Sequence, residues 1–262
     1  MADWNPALYS RFEDERTRPA RDLLARCRLD GAPGGAGLRI ADLGCGPGNS
    51  TELLFERFPQ AEITGFDTSE AMLTQARRRL PTCRFEQGDI GRFQAERPFD
   101  LLFANASLQW VLGHESLVPA LFAQVAPGGL LAAQIPDNLA EPSQTAMRAI
   151  AAEPEFADFF EGFSEAREAV ATRVTYYDWL IREASEVDVW TTVYEHPMES
   201  AEAITDWFRS TGLKPFIDRL PERERERFLG RYTQEMTRLY SERADGRRLL
   251  AFPRLFFVAR RR

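Results

Sequence analysis

The chain has 262 residues, 44% of them hydrophobic and 28% charged, which are ordinary globular proportions and exclude wholesale disorder. Thirty-three basic against 40 acidic residues give a net charge of −7, which argues against a nucleic-acid or anionic-membrane partner. No apolar run approaches a bilayer span and the first residues carry no secretory pattern, so a cytoplasmic protein is expected.

Residues 1–30 read as an N-terminal arm, followed by a flexible joint at Gly31-Ala32-Pro33-Gly34-Gly35-Ala36-Gly37. Short apolar runs at Leu38–Leu43, Ala61–Phe66, Cys83–Glu86, Phe99–Ala104 and Gly129–Ile135 read as strands. Amphipathic stretches at Ser50–Phe58, Ser69–Leu80 and Glu115–Val125 separate most of them. Strands alternating with helices imply βαβ units and a parallel sheet over residues 38–136. Residues 143–185 then read as helical and aromatic-rich, Glu186–Glu195 alternates as a strand, 200–243 is helical again, and Arg254–Arg260 is a closing strand. Phe228, Tyr232 and Met236 mark the buried stripe of the second helical block. The expected organisation is one α/β domain with helical insertions at 143–185 and 200–243.

The chemistry is concentrated at Asp42-Leu43-Gly44-Cys45-Gly46-Pro47-Gly48-Asn49-Ser50, where a strand runs through three glycines into a helix. Glycine there permits positive φ and lets a ligand lie against the backbone; Asn49 or Ser50 can cap the helix. A dinucleotide fingerprint needs a third glycine where Asn49 stands, which disfavours a nicotinamide oxidoreductase. An acid at the strand end suits a ligand with an ammonium group, as in S-adenosylmethionine. Asp67, ending the next strand, can accept from two ribose hydroxyls or can cap the following helix. Asp89 and Ile90 follow the third strand, where an acid can meet an adenine amine and an aliphatic side chain its ring. The three cysteines form no paired motif, and the two histidines, His114 and His196, are too few for a histidine-rich metal site. No metal is expected.

These motifs resemble those of class I S-adenosylmethionine-dependent methyltransferases. The likeness continues in Phe99-Asp100-Leu101-Leu102-Phe103-Ala104 and Pro127-Gly128-Gly129-Leu130. Asp3-Trp4-Asn5-Pro6, Asn105-Ala106-Ser107-Leu108-Gln109-Trp110, Ile135-Pro136-Asp137-Asn138 and Ala251-Phe252-Pro253-Arg254-Leu255 narrow it to the bacterial trans-aconitate 2-methyltransferase family. Residues 161–171 match least well. The resemblance implies a Rossmann-like sheet of order 3-2-1-4-5-7-6 with the last strand antiparallel. It also implies methyl transfer from S-adenosylmethionine to a carboxylate of trans-aconitate, giving a monomethyl ester and S-adenosylhomocysteine. The expected cofactor set is Tyr9, Arg18, Asp42, Gly44, Cys45, Gly46, Asp67, Thr68, Met72, Asp89, Ile90, Asn105 and Ala106, with Tyr9 and Phe12 in a lid formed by the arm.

For a tricarboxylate substrate, arginine supplies the bidentate fork. Most of the arginines reflect composition (Lys214 is the only lysine), so position must choose among them. Arg254 and Arg16 are the expected clamp, bordered by Trp110, Gln109 and Tyr177. A carboxylate is already ionised at neutral pH and needs no general base, so approximation in a dry site should dominate. Alternatives are a methyltransferase for another small nucleophile and a non-catalytic S-adenosylmethionine-binding regulator. A monomer is expected.

Overall fold

A computed structural model describes residues 13–29, 33–163, 167, 169–209 and 211–262. Tyr9 and Phe12 lie outside these residues, as does the side chain of Arg16. Seven strands form one mixed sheet in the order β3-β2-β1-β4-β5-β7-β6, as the family resemblance implies. They are β1 (Arg39–Leu43), β2 (Glu62–Asp67), β3 (Arg84–Gln87), β4 (Phe99–Asn105), β5 (Val125–Pro136), β6 (Ala184–Met198) and β7 (Arg248–Arg261). β1 to β5 pair in parallel. β7 runs the other way: the Asp137 amide, just past β5, donates to Pro253, while Arg260 reaches Gly128 near the start of β5.

The helices are α1 (Glu13–Arg26), α2 (Asn49–Arg57), α3 (Glu70–Arg79), α4 (His114–Phe122), α5 (Pro142–Ala151), α6 (Arg173–Leu180), α7 (Ala201–Arg209), α8 (Lys214–Ile217) and α9 (Glu222–Leu239). The chain divides into two compact units, each with its own core. In the first (14–136, 167–192 and 255–262), Leu102, Ala104, Leu131, Ala133, Phe122 and Phe257 pack between the strands and α4. In the second, residues 137–166 and 193–254 bury the expected stripe Phe228, Tyr232 and Met236 of α9 against Met147, Trp207 and Phe208.

Three expectations are corrected. Residues 143–185 are not one helical block: among the described residues α5 stops at Ala151, a 3₁₀ turn follows at Ala157–Phe160, and α6 begins only at Arg173. β7 starts six residues earlier than expected, at Arg248 rather than Arg254, because Pro253 sits inside it. Proline normally argues against a strand interior, but here its carbonyl still accepts from Asp137. The described part of the glycine-rich joint is a packed turn: the Gln60 amide donates to Gly34 at 2.9 Å, and a Cβ on Gly35 would meet the Phe58 side chain at 2.9 Å. α1 is likewise docked, burying Thr17, Ala20, Leu23 and Leu24. Its carboxyl end is tied by Arg26 to Asp188 at 3.0 Å and, through the Arg28 carbonyl, to Arg260.

Candidate functional site

Apart from Arg18 on α1, the described cofactor candidates lie at or just past the carboxyl ends of β1, β2, β3 and β4, where open α/β sheets bind ligands. Asp42, next to last in β1, is completely buried. One carboxylate oxygen accepts from Ser50 at 2.7 Å and from Thr51 at 2.6 Å. Its other oxygen, Oδ1, has no hydrogen-bond partner among the described residues. Burial pushes the carboxyl up to about 6 against the opposing pull of the two hydroxyls, and the neighbouring charge of Asp67 pushes the same way. A buried acceptor of this kind fits the donor hydrogens of an ammonium group.

The glycines differ in purpose. Gly44 has φ +73°, and a Cβ there would stand 2.3 Å from Cβ of Ser107. It is glycine because the chain after β4 packs on it, and Ser107 also donates to the Leu43 carbonyl at 2.6 Å. Gly46 has φ +54° and faces open space, so a ligand can approach its backbone. Its amide donates to Asp67 at 2.9 Å, and the other Asp67 oxygen accepts from the Ser69 amide at 2.9 Å. Asp67 therefore ties the glycine loop to the end of β2, and the helix cap falls to Ser69, whose hydroxyl accepts from Met72. Neither Asn49 nor Ser50 caps α2: its entry is Gly48 in the left-handed conformation, and the Ser50 hydroxyl is turned onto Asp42.

Cys45 points its side chain into a small core with Leu73, Ala76 and Phe85, and burial holds its thiol well above the ordinary range. The thiol also lies 3.7 Å from the Gly46 carbonyl. Thr68 is exposed and Met72 is buried. Asp89 accepts from the Gly91 amide at 2.9 Å, opening a short turn that buries Ile90 beside Leu43 and Ala104. Asn105 accepts from the buried Gln134 at 2.9 Å. Ala106 is the one non-glycine residue with a left-handed φ among those described, 52°, a strain of the kind kept where geometry serves function. Gln109 Nε2 donates to the Ala106 carbonyl at 2.6 Å, while its buried Oε1 has no partner among the described residues.

Trp110 is 36% and Tyr177 42% exposed, whereas Arg18 is exposed on α1. Arg254 is almost fully buried, its guanidinium 4.7 Å from the ring centre of Phe252, beside the Pro253 whose carbonyl accepts from the Asp137 amide. Close to Gln109, a cleft of about 280 Å³ is lined by His114, Val170, Ala171 and Trp179. His114 hydrogen-bonds the Leu108 carbonyl at 2.9 Å and the Tyr176 hydroxyl at 2.5 Å. A carbonyl only accepts, so Nε2 carries a proton and, in the neutral ring, Nδ1 accepts from Tyr176. Sequence reading missed Ser50, Thr51, Ser107 and this His–Tyr pair, because each acts through a partner distant in sequence or through an unremarkable hydroxyl.

Residues 40–129 match the family model described as a methyltransferase domain. A protein from Paracidovorax citrulli named trans-aconitate 2-methyltransferase is 57% identical over 264 residues, covering 100% of this chain and 99% of that protein. The chain belongs to the trans-aconitate 2-methyltransferase family. A member from Variovorax paradoxus is 53% identical, with 100% of both chains covered. The fold extends further than the sequence likeness. The YcgJ protein of Bacillus subtilis superposes with a TM-score of 0.57 at 13% identity, covering 94% of this chain and 97% of that one. Phosphoethanolamine N-methyltransferase 2 of Haemonchus contortus superposes with a TM-score of 0.54 at 15% identity, covering 93% of this chain and 52% of the other. Both likenesses concern the fold alone.

Proposed function

We propose that the protein transfers a methyl group from S-adenosylmethionine to a carboxylate of trans-aconitate. The full-length identity with the family carries this reading. S-adenosylmethionine, when bound, supplies an electrophilic methyl group on its sulfonium. Asp42 Oδ1 would take the methionine ammonium, directly or through water, and Gly44 and Gly46 would lay the loop backbone along the ligand. Asp67 would accept from the ribose hydroxyls with lone pairs its two amides leave, while Asp89 and Ile90 would meet the adenine. Asn105 and Ala106 would border the methionine part, with Arg18 and the arm closing over it.

The substrate oxygen arrives already ionised, so the protein's task is to hold and dehydrate it. His114 is engaged with Tyr176 and Leu108 and is not required as a base. The substrate candidates are Arg16, Trp110, Gln109 and Tyr177 in one unit and Arg254 in the other, the two arginines offering carboxylate forks. The test is to incubate purified protein with S-adenosylmethionine and a panel of polycarboxylates and to follow products by mass spectrometry. The expected product is trans-aconitate bearing one added methyl group, with S-adenosylhomocysteine in equal amount. S-adenosylmethionine binding without turnover of any acid would instead mark a non-catalytic regulator.

A further inference from the structure

The segment before α6 brings one more arginine to the carboxyl end of the sheet. Arg167 donates from Nη2 to the carbonyl of Pro136, the last residue of β5, at 3.3 Å. Its guanidinium carbon lies 5.6 Å from the ring centre of Trp110, in the turn that follows β4. Two residues further on, Ala169, Val170 and Ala171 wall the cleft that Gln109 and His114 line from the other side. Arg167 thus stands where the ends of β4 and β5 and the cleft wall converge.

The two contacts orient the group. An indole face holds a guanidinium flat against it, and the backbone carbonyl fixes its rotation within that plane. A fork held in this way matches the planar geometry of a carboxylate far better than a flexible ammonium would. A tricarboxylate also keeps two carboxylates beside the one that is methylated, so one arginine does not complete its recognition. We propose that Arg167 is a specificity-determining residue that binds one of the non-reacting carboxylates of the substrate, with Trp110 as the plate that sets its orientation. The proposal rests on the trans-aconitate reading above.

The experiment compares wild type, Arg167→Ala and Arg167→Lys with trans-aconitate and with the two analogues in which one non-reacting carboxylate is a primary amide. S-adenosylmethionine affinity is measured by calorimetry on the same preparations. Arg167→Ala should lower kcat/KM for trans-aconitate about ten- to a hundredfold and leave S-adenosylmethionine affinity within about twofold, and Arg167→Lys should recover little. On one amide analogue the wild type should lose its advantage over Arg167→Ala, because the carboxylate that Arg167 reads is gone. Undiminished kcat/KM in Arg167→Ala would overturn the proposal. So would an equal loss of S-adenosylmethionine affinity, or a penalty of the same size on both analogues, since either marks a structural role. A wild-type protein that methylates no polycarboxylate overturns the trans-aconitate reading itself, and Arg167 with it. A wild type active on trans-aconitate beside an equally active Arg167→Ala overturns the Arg167 assignment alone.

Discussion

Asp42 carries a stability cost that its proposed contact with the methionine ammonium would offset. Its carboxyl is raised from about 3.8 to about 6 on folding, so the folded state holds a proton that the unfolded chain has lost between those values. The stabilising contribution of the neutral acid is complete below about pH 4 and declines as pH rises through about 6; by neutral pH the loss is about 3 kcal/mol. Asp42→Asn keeps an acceptor for Ser50 and Thr51 without the charge. The ligand-free variant should therefore match wild type in urea unfolding at pH 4 and exceed it at pH 8, by up to about 3 kcal/mol. Its S-adenosylmethionine affinity should be weaker at pH 8 and nearly flat with pH, while wild-type affinity falls below pH 6. Equal stabilities at pH 8 would contradict this account. Arg254 is tested at the same scale. Arg254→Ala should reduce kcat/KM for trans-aconitate about ten- to a hundredfold while calorimetric S-adenosylmethionine affinity holds, and Arg254→Lys should restore little because the fork is lost. Parallel loss of both would make Arg254 a packing residue.

The loop between β1 and α2 separates two meanings of glycine. Gly44→Ala meets Ser107 and a left-handed φ together and should cost about 3–5 kcal/mol in thermal or urea unfolding. Gly46→Ala meets nothing, so it should cost about 1 kcal/mol of backbone strain yet weaken S-adenosylmethionine binding. The reverse ranking in stability would refute this assignment. The repeated glycines, the acids at Asp42 and Asp67 and the strand–helix alternation were readable because each depends on neighbours in sequence. The use of Ser50 and Thr51 as Asp42's donors, and the Ser107 contact that demands Gly44, were not, because the contacts join separate turns. Proline and glycine hid the true lengths of two strands. Pro253 lies inside β7, and Pro127-Gly128 lies where β5 slips register against β4 between Phe99 and Leu101. The aromatic content of 143–185 suggested helix, yet part of it serves short turns such as Phe159 and Phe160.

At the level of the whole molecule, every described cofactor candidate falls in the unit built from 14–136, 167–192 and 255–262, and Arg254 falls in the other. The sequence read as one domain because the chain passes between the units several times, after Pro136, before Arg167 and inside β6 and β7, with no long linker to mark the changes. The family resemblance supplied what local periodicity could not, namely that β7 lies between β5 and β6.

That strand order governs how the protein is made. On a ribosome β6 emerges well before β7, and among the described residues of the finished sheet β7 is the only strand it pairs with. While α7, α8 and α9 are synthesised, a long strand must wait with both of its edges open, a state prone to mispairing with other nascent chains. Folding of the sheet can therefore close only after Arg248–Arg261 has cleared the exit tunnel. A chain stopped just before Arg248 should retain the β1–β5 pairings in hydrogen exchange but partition into the insoluble fraction, and supplying the Arg248–Arg261 segment during synthesis should draw part of it back into solution. A soluble, cooperatively unfolding truncation would show that β6 finds shelter without its partner.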